Sequence, residues 1–155
     1  QAEQQTEYVA PAQQTAQVET TSAQAPAAAA DQTPAPATNN ATRDAIVSAA
    51  KAAQGTGYVW GGRSYGAWDC SGFVSYIFAQ QGIKLTPYTY TMSTELRATA
   101  NPQPGDIVFT NGYNHVGIYV GNGQMVSALN PSQGTQLTPV DGNGYMPVDG
   151  YYTAF

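Results

Sequence analysis

The chain contains one cysteine, Cys70, and one histidine, His115, and these two residue types can act together as a nucleophile and its base. A thiol attacks a carbonyl carbon as the thiolate, and a free cysteine with a pKa of about 8.5 is mostly protonated at neutral pH. A helix N-terminus favours the thiolate, and a nearby imidazole can accept the proton. The pair therefore indicates covalent catalysis. The alternative interpretation is a small buried thiol and a structural histidine.

Cys70 stands at the start of a predicted helix. Asp69 fits the N-cap position, so that Cys70 falls in the first turn, near the positive end of the helix. The glycine- and aromatic-rich segment 57–66 before it is typical of an ordered loop. Gly82 is the residue at which the helix is predicted to end. Between Asp69 and Gly82, apolar side chains recur at intervals of three and four residues, namely Phe73, Val74, Ile77 and Phe78.

His115 belongs to a predicted β-hairpin. Residues 115–120 alternate, so that the valines and Ile118 share one face and His115 lies on the other. A Gly-Asn-Gly turn at 121–123 leads into a return strand over Gln124–Leu129. Further strands are predicted at 107–109, 134–139 and 150–153. A helical first half followed by antiparallel strands predicts the α+β class, with N-terminal helices packed on a central antiparallel sheet.

Two other segments have weaker signals. An amphipathic helix is predicted over Thr42–Gln54, with Thr42 as its N-cap and Gly55 as its stop. The threonine-rich region 85–100 has little periodicity. We predict a loop there with a short helix over Ser93–Ala98.

Residues 1–41 differ in composition from the rest of the 155-residue chain. They contain no Lys or Arg and are rich in Gln, Ala, Pro and Thr. Such a segment buries too little apolar surface to offset the entropy of ordering it, so we predict a disordered tail or linker. Residues 42–155 are predicted to form one catalytic domain. Of the net charge of −5, the tail holds four acids, which leaves six acids against five bases, or −1, in the domain.

Composition excludes several classes of function. There is no basic cluster of the kind that binds nucleic acid or an anionic membrane, and no apolar run approaches the roughly 20 residues of a membrane span. A single cysteine and a single histidine among scattered carboxylates do not make a zinc site, so we expect no metal and no cofactor. The chain begins at Gln1 without signal-peptide features, which indicates a removed signal or a fragment.

Four blocks of the sequence resemble the signature blocks of the NlpC-type cell-wall peptidases, in the order typical of that family. They are Tyr58 to Gly62 (YVWGG), Asp69 to Phe73 (DCSGF), Pro104 to Phe109 (PGDIVF) and His115 to Gly123 (HVGIYVGNG). The resemblance implies a papain-like NlpC fold and a secreted, cell-wall-associated bacterial protein. It also implies hydrolysis of the bond between D-γ-glutamyl and a diamino acid in peptidoglycan stem peptides. We expect a monomer.

The resemblance also implies roles for individual residues. Cys70 is expected to be the nucleophile and His115 the general base, which later acts as the acid for the leaving amine. Tyr58 is expected to contact the substrate or the oxyanion. Asp69 and Ser71 flank the groove as substrate-binding residues, although Asp69 is equally well explained as an N-cap. Trp68 is expected to line the groove or to pack over the helix start.

The third catalytic position departs from the family pattern. The family usually places His there, and sometimes Asn, Gln or Glu, whereas this chain has Ser127. In a hairpin with a three-residue turn, Gly117 faces Ser127, and His115 is its diagonal neighbour within hydrogen-bond reach. A hydroxyl can fix the imidazole tautomer but supplies no charge. Asn130, a backbone carbonyl, or a purely structural Ser127 are the alternatives.

Two other functions remain open from the sequence. One is a catalytically weakened or inactive wall-binding module of the same fold, for which Ser127 would mark a decayed site. The other is an acyltransferase or amidase, which would differ only in the second nucleophile.

Overall fold

The computed structural model describes the backbone of residues 34–155 and the side chains from residue 39 onward. The helices of this part are α1 (Pro34–Ala52), α2 (Cys70–Ala79) and α3 (Thr89–Glu95), with a 3₁₀ turn at Gly142–Gly144. The strands are β1 (Arg63–Ser64), β2 (Ala67–Trp68), β3 (Arg97–Thr99), β4 (Ile107–Thr110), β5 (His115–Gly121), β6 (Gln124–Asn130), β7 (Gly134–Pro139) and β8 (Val148–Thr153).

Six of these strands form one antiparallel sheet in the order β3-β8-β4-β5-β6-β7, and β1 pairs with β2 as a separate short ribbon. Strands β4, β5, β6 and β7 are neighbours in sequence and in space, because each is joined to the next by a tight connection. Strand β8, the last strand of the chain, lies between β3 and β4 and pairs with both. The predicted α+β architecture is confirmed.

Helix α2 forms because its apolar residues lie on one stripe and its first turn is capped. The Asp69 carboxylate accepts a hydrogen bond from the Gly72 N–H at 2.7 Å, which satisfies one of the unpaired amides of the first turn. The apolar side chains of this stripe are fully buried or nearly so, and the burial of each contributes about 1.5–3 kcal/mol to the stability of the fold. The stripe packs in one core with Val116, Ile118, Val126 and Ala128 from the sheet.

The hairpin of β5 and β6 agrees with the sequence prediction. Strand β5 begins at His115, and Ile118 pairs with Val126 across the hairpin. Residues 121 and 123 have positive φ values of 98° and 71°, and Asn122 has 55°, which accounts for the Gly-Asn-Gly sequence of the turn.

Other boundaries differ from the predictions. Helix α1 begins at Pro34, eight residues before the predicted Thr42, because alanines favour the helix and proline is tolerated in the first turn. The predicted disordered tail therefore includes eight helical residues, and its residues 1–33 lie outside the described part. The chain divides into two units, 1–41 and 42–155.

The helix predicted over Ser93–Ala98 is wrong in position. Helix α3 runs from Thr89 to Glu95, and residues 97–99 form β3 instead. Met92 is the one buried residue of α3, and Tyr88 provides no side-chain cap. A helix of about two turns with a single buried apolar residue produces no recognisable period. Strand β3 forms through pairing with the distant β8. No helix within residues 34–155 has the length and hydropathy that crossing a membrane requires.

Candidate active site

The Cys70 thiol lies where the start of α2 meets the start of β5. Its Sγ atom is 4.0 Å from the carbonyl oxygen of Asn114, the residue before His115. Burial raises the pKa of the thiol to about 11. The backbone N–H groups of Val116, Ser71 and Cys70 itself act in the opposite direction, and the Asp69 carboxylate adds to the rise. Burial thus outweighs the helix N-terminus, and the resting thiol is protonated at neutral pH.

His115 is 7% exposed, and burial lowers the pKa of its imidazole to about 4. The ring is therefore neutral at pH 7. Activation of the thiol by His115 stays a prediction, and in the free protein burial opposes the thiolate and imidazolium that the sequence favoured. The reason is desolvation, which disfavours the charged form of both groups and depends on everything packed around them.

The hydroxyl of Ser127 holds the imidazole. His115 Nε2 and Ser127 Oγ are 3.0 Å apart, and both side chains are buried. The predicted contact is present, while its catalytic role stays a prediction. Asn130, the alternative partner, is used elsewhere, because its side chain closes the turn after β6 through Ser132 and Gln133.

The absence of a side chain at Gly117 allows the contact between His115 and Ser127. A Cβ built on Gly117 would stand 3.0 Å from the Cβ of Ser127 and 2.6 Å from the Sδ of Met125. Any side chain at this position would therefore push against the strand that carries Ser127. Glycine at 117 permits the close approach of β5 and β6 on the side where the imidazole and hydroxyl meet.

Tyr58 borders the thiol. Partial burial raises the pKa of its hydroxyl, and the charges of Cys70 and Asp69 raise it further. These electrostatic effects require the hydroxyl to lie near both groups. The structure brings Tyr58 to the site, and its contact with substrate or oxyanion stays a prediction.

The side chains of Asp69 and Ser71 both form hydrogen bonds within the protein. The Asp69 carboxylate accepts hydrogen bonds from Gly72 N at 2.7 Å and from Gly61 N at 3.2 Å, so the N-cap interpretation is confirmed. Ser71 is 5% exposed, and its hydroxyl lies 2.8 Å from the Pro87 carbonyl oxygen. A side chain that is buried and bonded in this way ties α2 to the segment before α3. The hydroxyl of Ser71 therefore has a structural contact, and its binding of substrate stays a prediction.

Trp68 does not line a groove. Its side chain is fully buried, and its indole N–H donates to Thr135 Oγ1 at 2.9 Å. Its ring packs edge to face on its aromatic neighbours, which are Tyr65, Phe73 and Tyr76. The expectation of a substrate contact is wrong, and packing over the helix start, the alternative, is what the structure shows.

Two residues near the site were missed by the sequence analysis. Asn114 presents its carbonyl to the thiol, and Asp149 accepts a hydrogen bond from the Tyr113 N–H at 2.7 Å. The signal in the sequence was the Asn-Gly-Tyr-Asn run at 111–114, since Asn-Gly is typical of left-handed turns. Nothing in the sequence pairs Asp149 with that turn.

A pocket of about 420 Å³ is lined by the end of β6, by β7 and by the segment 142–146. It contains neither Cys70 nor His115, and its lining is uncharged. The residues that line it are Leu129, Asn130, Gln133, Thr138, Gly142, Asn143, Tyr145 and Met146.

The model of the NlpC/P60 family matches residues 55–149, which include Cys70, His115 and Ser127. The chain belongs to the NlpC/P60 family. Among curated proteins, this NlpC/P60 chain is 40% identical over 113 residues to "Probable endopeptidase p60" of Listeria grayi, covering 69% of this chain and 22% of that protein. It is 43% identical over 105 residues to the protein of the same name from Listeria seeligeri, covering 64% and 20%. The chain thus spans about a fifth of the length of these relatives.

Solved structures of similar fold include the NlpC/p60 domain of the peptidoglycan hydrolase SagA. That domain is 28% identical with a TM-score of 0.62, and the match covers 73% of this chain and 98% of that one. The peptidoglycan hydrolase RipB of Mycobacterium tuberculosis is 26% identical with a TM-score of 0.65, covering 76% and 66%. Both matches assign the NlpC/P60 fold to the domain described above.

Proposed function

We propose that this NlpC/P60 domain is a cysteine endopeptidase that hydrolyses peptidoglycan stem peptides at the bond between D-γ-glutamyl and the diamino acid. One observation carries the proposal: the sulfur of the only cysteine of the chain lies 4.0 Å from the carbonyl oxygen of Asn114, the residue before the only histidine, and the imidazole of that histidine is held by Ser127. The relatives support the proposal, because the Listeria proteins are named probable endopeptidases and SagA and RipB are peptidoglycan hydrolases.

The contact with Ser127 occupies one ring nitrogen of His115 and leaves the other available as the base. Within residues 39–155, Ser127 Oγ is the hydrogen-bond partner of Nε2, and Nδ1 has none. If Nε2 carries the proton and donates it to Ser127 Oγ, Nδ1 is left with a free lone pair for the thiol proton. In that tautomer Ser127 holds the ring in the form that can act as a base.

The reaction starts from neutral groups. The Sγ–H proton passes to His115 Nδ1 while sulfur bonds to the carbonyl carbon, and backbone N–H groups at the start of α2 stabilise the oxyanion. The imidazolium then gives the proton to the leaving amine, which breaks the C–N bond and leaves a thioester. Water, deprotonated by His115, attacks the thioester, and the proton returns to Sγ as the carboxylate product leaves. No further reactant is required.

The family also supports a setting for this activity. We place the domain outside the cell at the cell wall, where its substrate is found, and we expect it to act as a monomer. Tyr58 is the residue beside the thiol that is suited to contact the substrate.

The test is digestion of purified peptidoglycan and of a soluble stem tetrapeptide, with the products identified by mass spectrometry. The wild-type protein is expected to release fragments that begin with the diamino acid, and Cys70→Ala is expected to release none. Retained activity in Cys70→Ala would end the proposal. Products cut at another bond would retain the peptidase and reject the bond specificity.

A non-catalytic wall-binding module is the second candidate, and one observation favours it. Ser127 supplies no charge to the buried imidazole, and burial disfavours both charged forms of the pair. Sedimentation with purified cell walls separates the two functions, because a binding module co-sediments without releasing fragments. Release of fragments by the wild type, absent in Cys70→Ala, would reject this candidate.

A further inference from the structure

The turn between β4 and β5 has an uncommon backbone. Three consecutive residues are left-handed, with φ values of 57° at Asn111, 69° at Gly112 and 64° at Tyr113. Asparagine and glycine adopt this region readily, whereas a bulky aromatic residue does so only under constraint. Strained residues persist where their surroundings hold them, and they concentrate at functional sites. This turn ends at Asn114, one residue before His115.

Contacts from the last part of the chain hold the turn. The Asn111 N–H donates to the Pro147 carbonyl at 2.9 Å, and the Tyr113 N–H donates to Asp149 Oδ2 at 2.7 Å. The hydroxyls of Tyr113 and Tyr152 are 2.9 Å apart, and both rings pack against Phe109. The strained residue is therefore fixed at its amide and at its side chain.

A β-bulge makes Asp149 available for this contact. Strand β8 pairs Gly150 with Phe109 and Val148 with Thr110, so that Asp149 is the extra residue between the two pairs. A bulge leaves one residue out of the ladder and redirects its side chain, and bulges are frequent beside active sites. The Asp149 carboxylate is exposed to solvent at this edge but is bonded to the strained amide.

The turn lies beside one reacting group and leads directly into the other. Its last carbonyl, that of Asn114, is 4.0 Å from the Cys70 sulfur, and the next residue is His115 itself. Rotation of the Tyr113 backbone into the right-handed region would redirect this carbonyl and the strand start that follows it. We propose that Asp149 is a positioning residue, which holds the left-handed Tyr113 and thereby sets the position of His115 relative to Cys70.

The positioning role of Asp149 rests on the proposed function only where kcat is measured. The imidazole of His115 can be observed without any substrate. It is the only histidine of the chain, so its imidazole ¹⁵N and ¹H signals are unambiguous in a ¹⁵N-labelled sample of the full chain. The variants are Asp149→Ala, which removes the acceptor, and Asp149→Asn, whose amide oxygen can accept the same hydrogen bond. Asp141→Ala is the matched control, since Asp141 accepts from the Asn143 N–H in the neighbouring 3₁₀ turn.

Asp149→Ala is expected to shift or broaden the His115 ring signals and to lower kcat about 10- to 100-fold, with KM within about 2-fold. Asp149→Asn is expected to restore the signals and most of kcat, and Asp141→Ala to leave both unchanged. Unaltered His115 signals in Asp149→Ala would overturn the proposal, and so would a failure of Asp149→Asn to restore them.

A milder variant covers the case in which Asp149→Ala does not fold. Tyr152→Phe removes only the hydroxyl contact to Tyr113, and a smaller shift of the same His115 signals is expected. No shift would contradict the proposal. If the wild type has no peptidase activity, the proposed function fails, whereas the ring signals still test the role of Asp149.

Discussion

The Nε2 atom of His115 and the hydroxyl of Ser127 lie 3.0 Å apart across the β5–β6 hairpin, with both side chains buried. The contact is possible because Gly117 has no side chain to separate the strands. In this NlpC/P60 domain a hydroxyl contacts the ring at the position where the family pattern leads us to expect His, or sometimes Asn, Gln or Glu. The arrangement leads to predictions about tautomer, reactivity and stability.

Removal of the Ser127 hydroxyl is expected to slow catalysis without preventing folding. Ser127→Ala leaves the Nε2–H without an acceptor, so the base tautomer is no longer selected, and a loss of one hydrogen bond corresponds to about a 10-fold lower kcat. Ser75→Ala is the matched control, because it removes a similar hydroxyl that donates to Leu85 O at 2.8 Å on α2. Steady-state kinetics on a stem tetrapeptide measure both. Equal kcat values in the two variants would contradict the role of Ser127.

Alkylation of Cys70 in the free protein is expected to be slow at neutral pH. Because burial raises the pKa of the thiol from 9.0 to about 11, its thiolate fraction at pH 7 is about 100-fold smaller than that of an unperturbed thiol. The rate with iodoacetamide should therefore rise steadily up to about pH 11. Mass spectrometry gives the rate constant, with a short cysteine peptide as reference. Faster alkylation than the peptide at pH 6 would instead indicate a preformed thiolate–imidazolium pair.

His115 is expected to make the domain less stable in mild acid. Its pKa is lowered from 6.5 to about 4 in the folded protein, so between these values the unfolded chain binds a proton that the folded chain does not. The free energy of unfolding therefore falls as pH decreases through this window, by roughly 2–3 kcal/mol at pH 4.5. Urea unfolding of the wild type and of His115→Gln at pH 7 and pH 4.5 measures the effect. The variant should lose less stability, and an identical loss would show that other groups cause it.

The two tryptophans are expected to respond differently to the same substitution. Trp68→Phe removes buried volume and the hydrogen bond to Thr135, which costs about 1–3 kcal/mol of stability. Trp60 is 85% exposed, and Trp60→Phe should change stability by less than about 0.5 kcal/mol. Guanidinium unfolding compares them. If Trp68→Phe raised KM without lowering stability, the result would support a substrate contact by Trp68 and contradict its structural role.

Much of the fold was readable from local patterns. The apolar stripe of α2, its Asp69 cap and the alternation in β5 each depend on residues close together in sequence, where helix and strand periods act directly. The contact between His115 and Ser127 followed as well, because a tight turn determines the register of a hairpin. Helix α3 was misplaced, since one buried methionine sets no period.

The sequence by itself determined helix α2, the strands β4 to β8, the family, and the choice of one thiol and one imidazole as the candidate catalytic groups. Only the tertiary structure decided the desolvation of the thiol and the imidazole, the burial of Trp68 and the contact between Asp149 and the turn before His115. The physical reason is that desolvation and packing depend on every segment that surrounds a group. Here those segments include β8, which joins the sheet more than thirty residues after β5 begins.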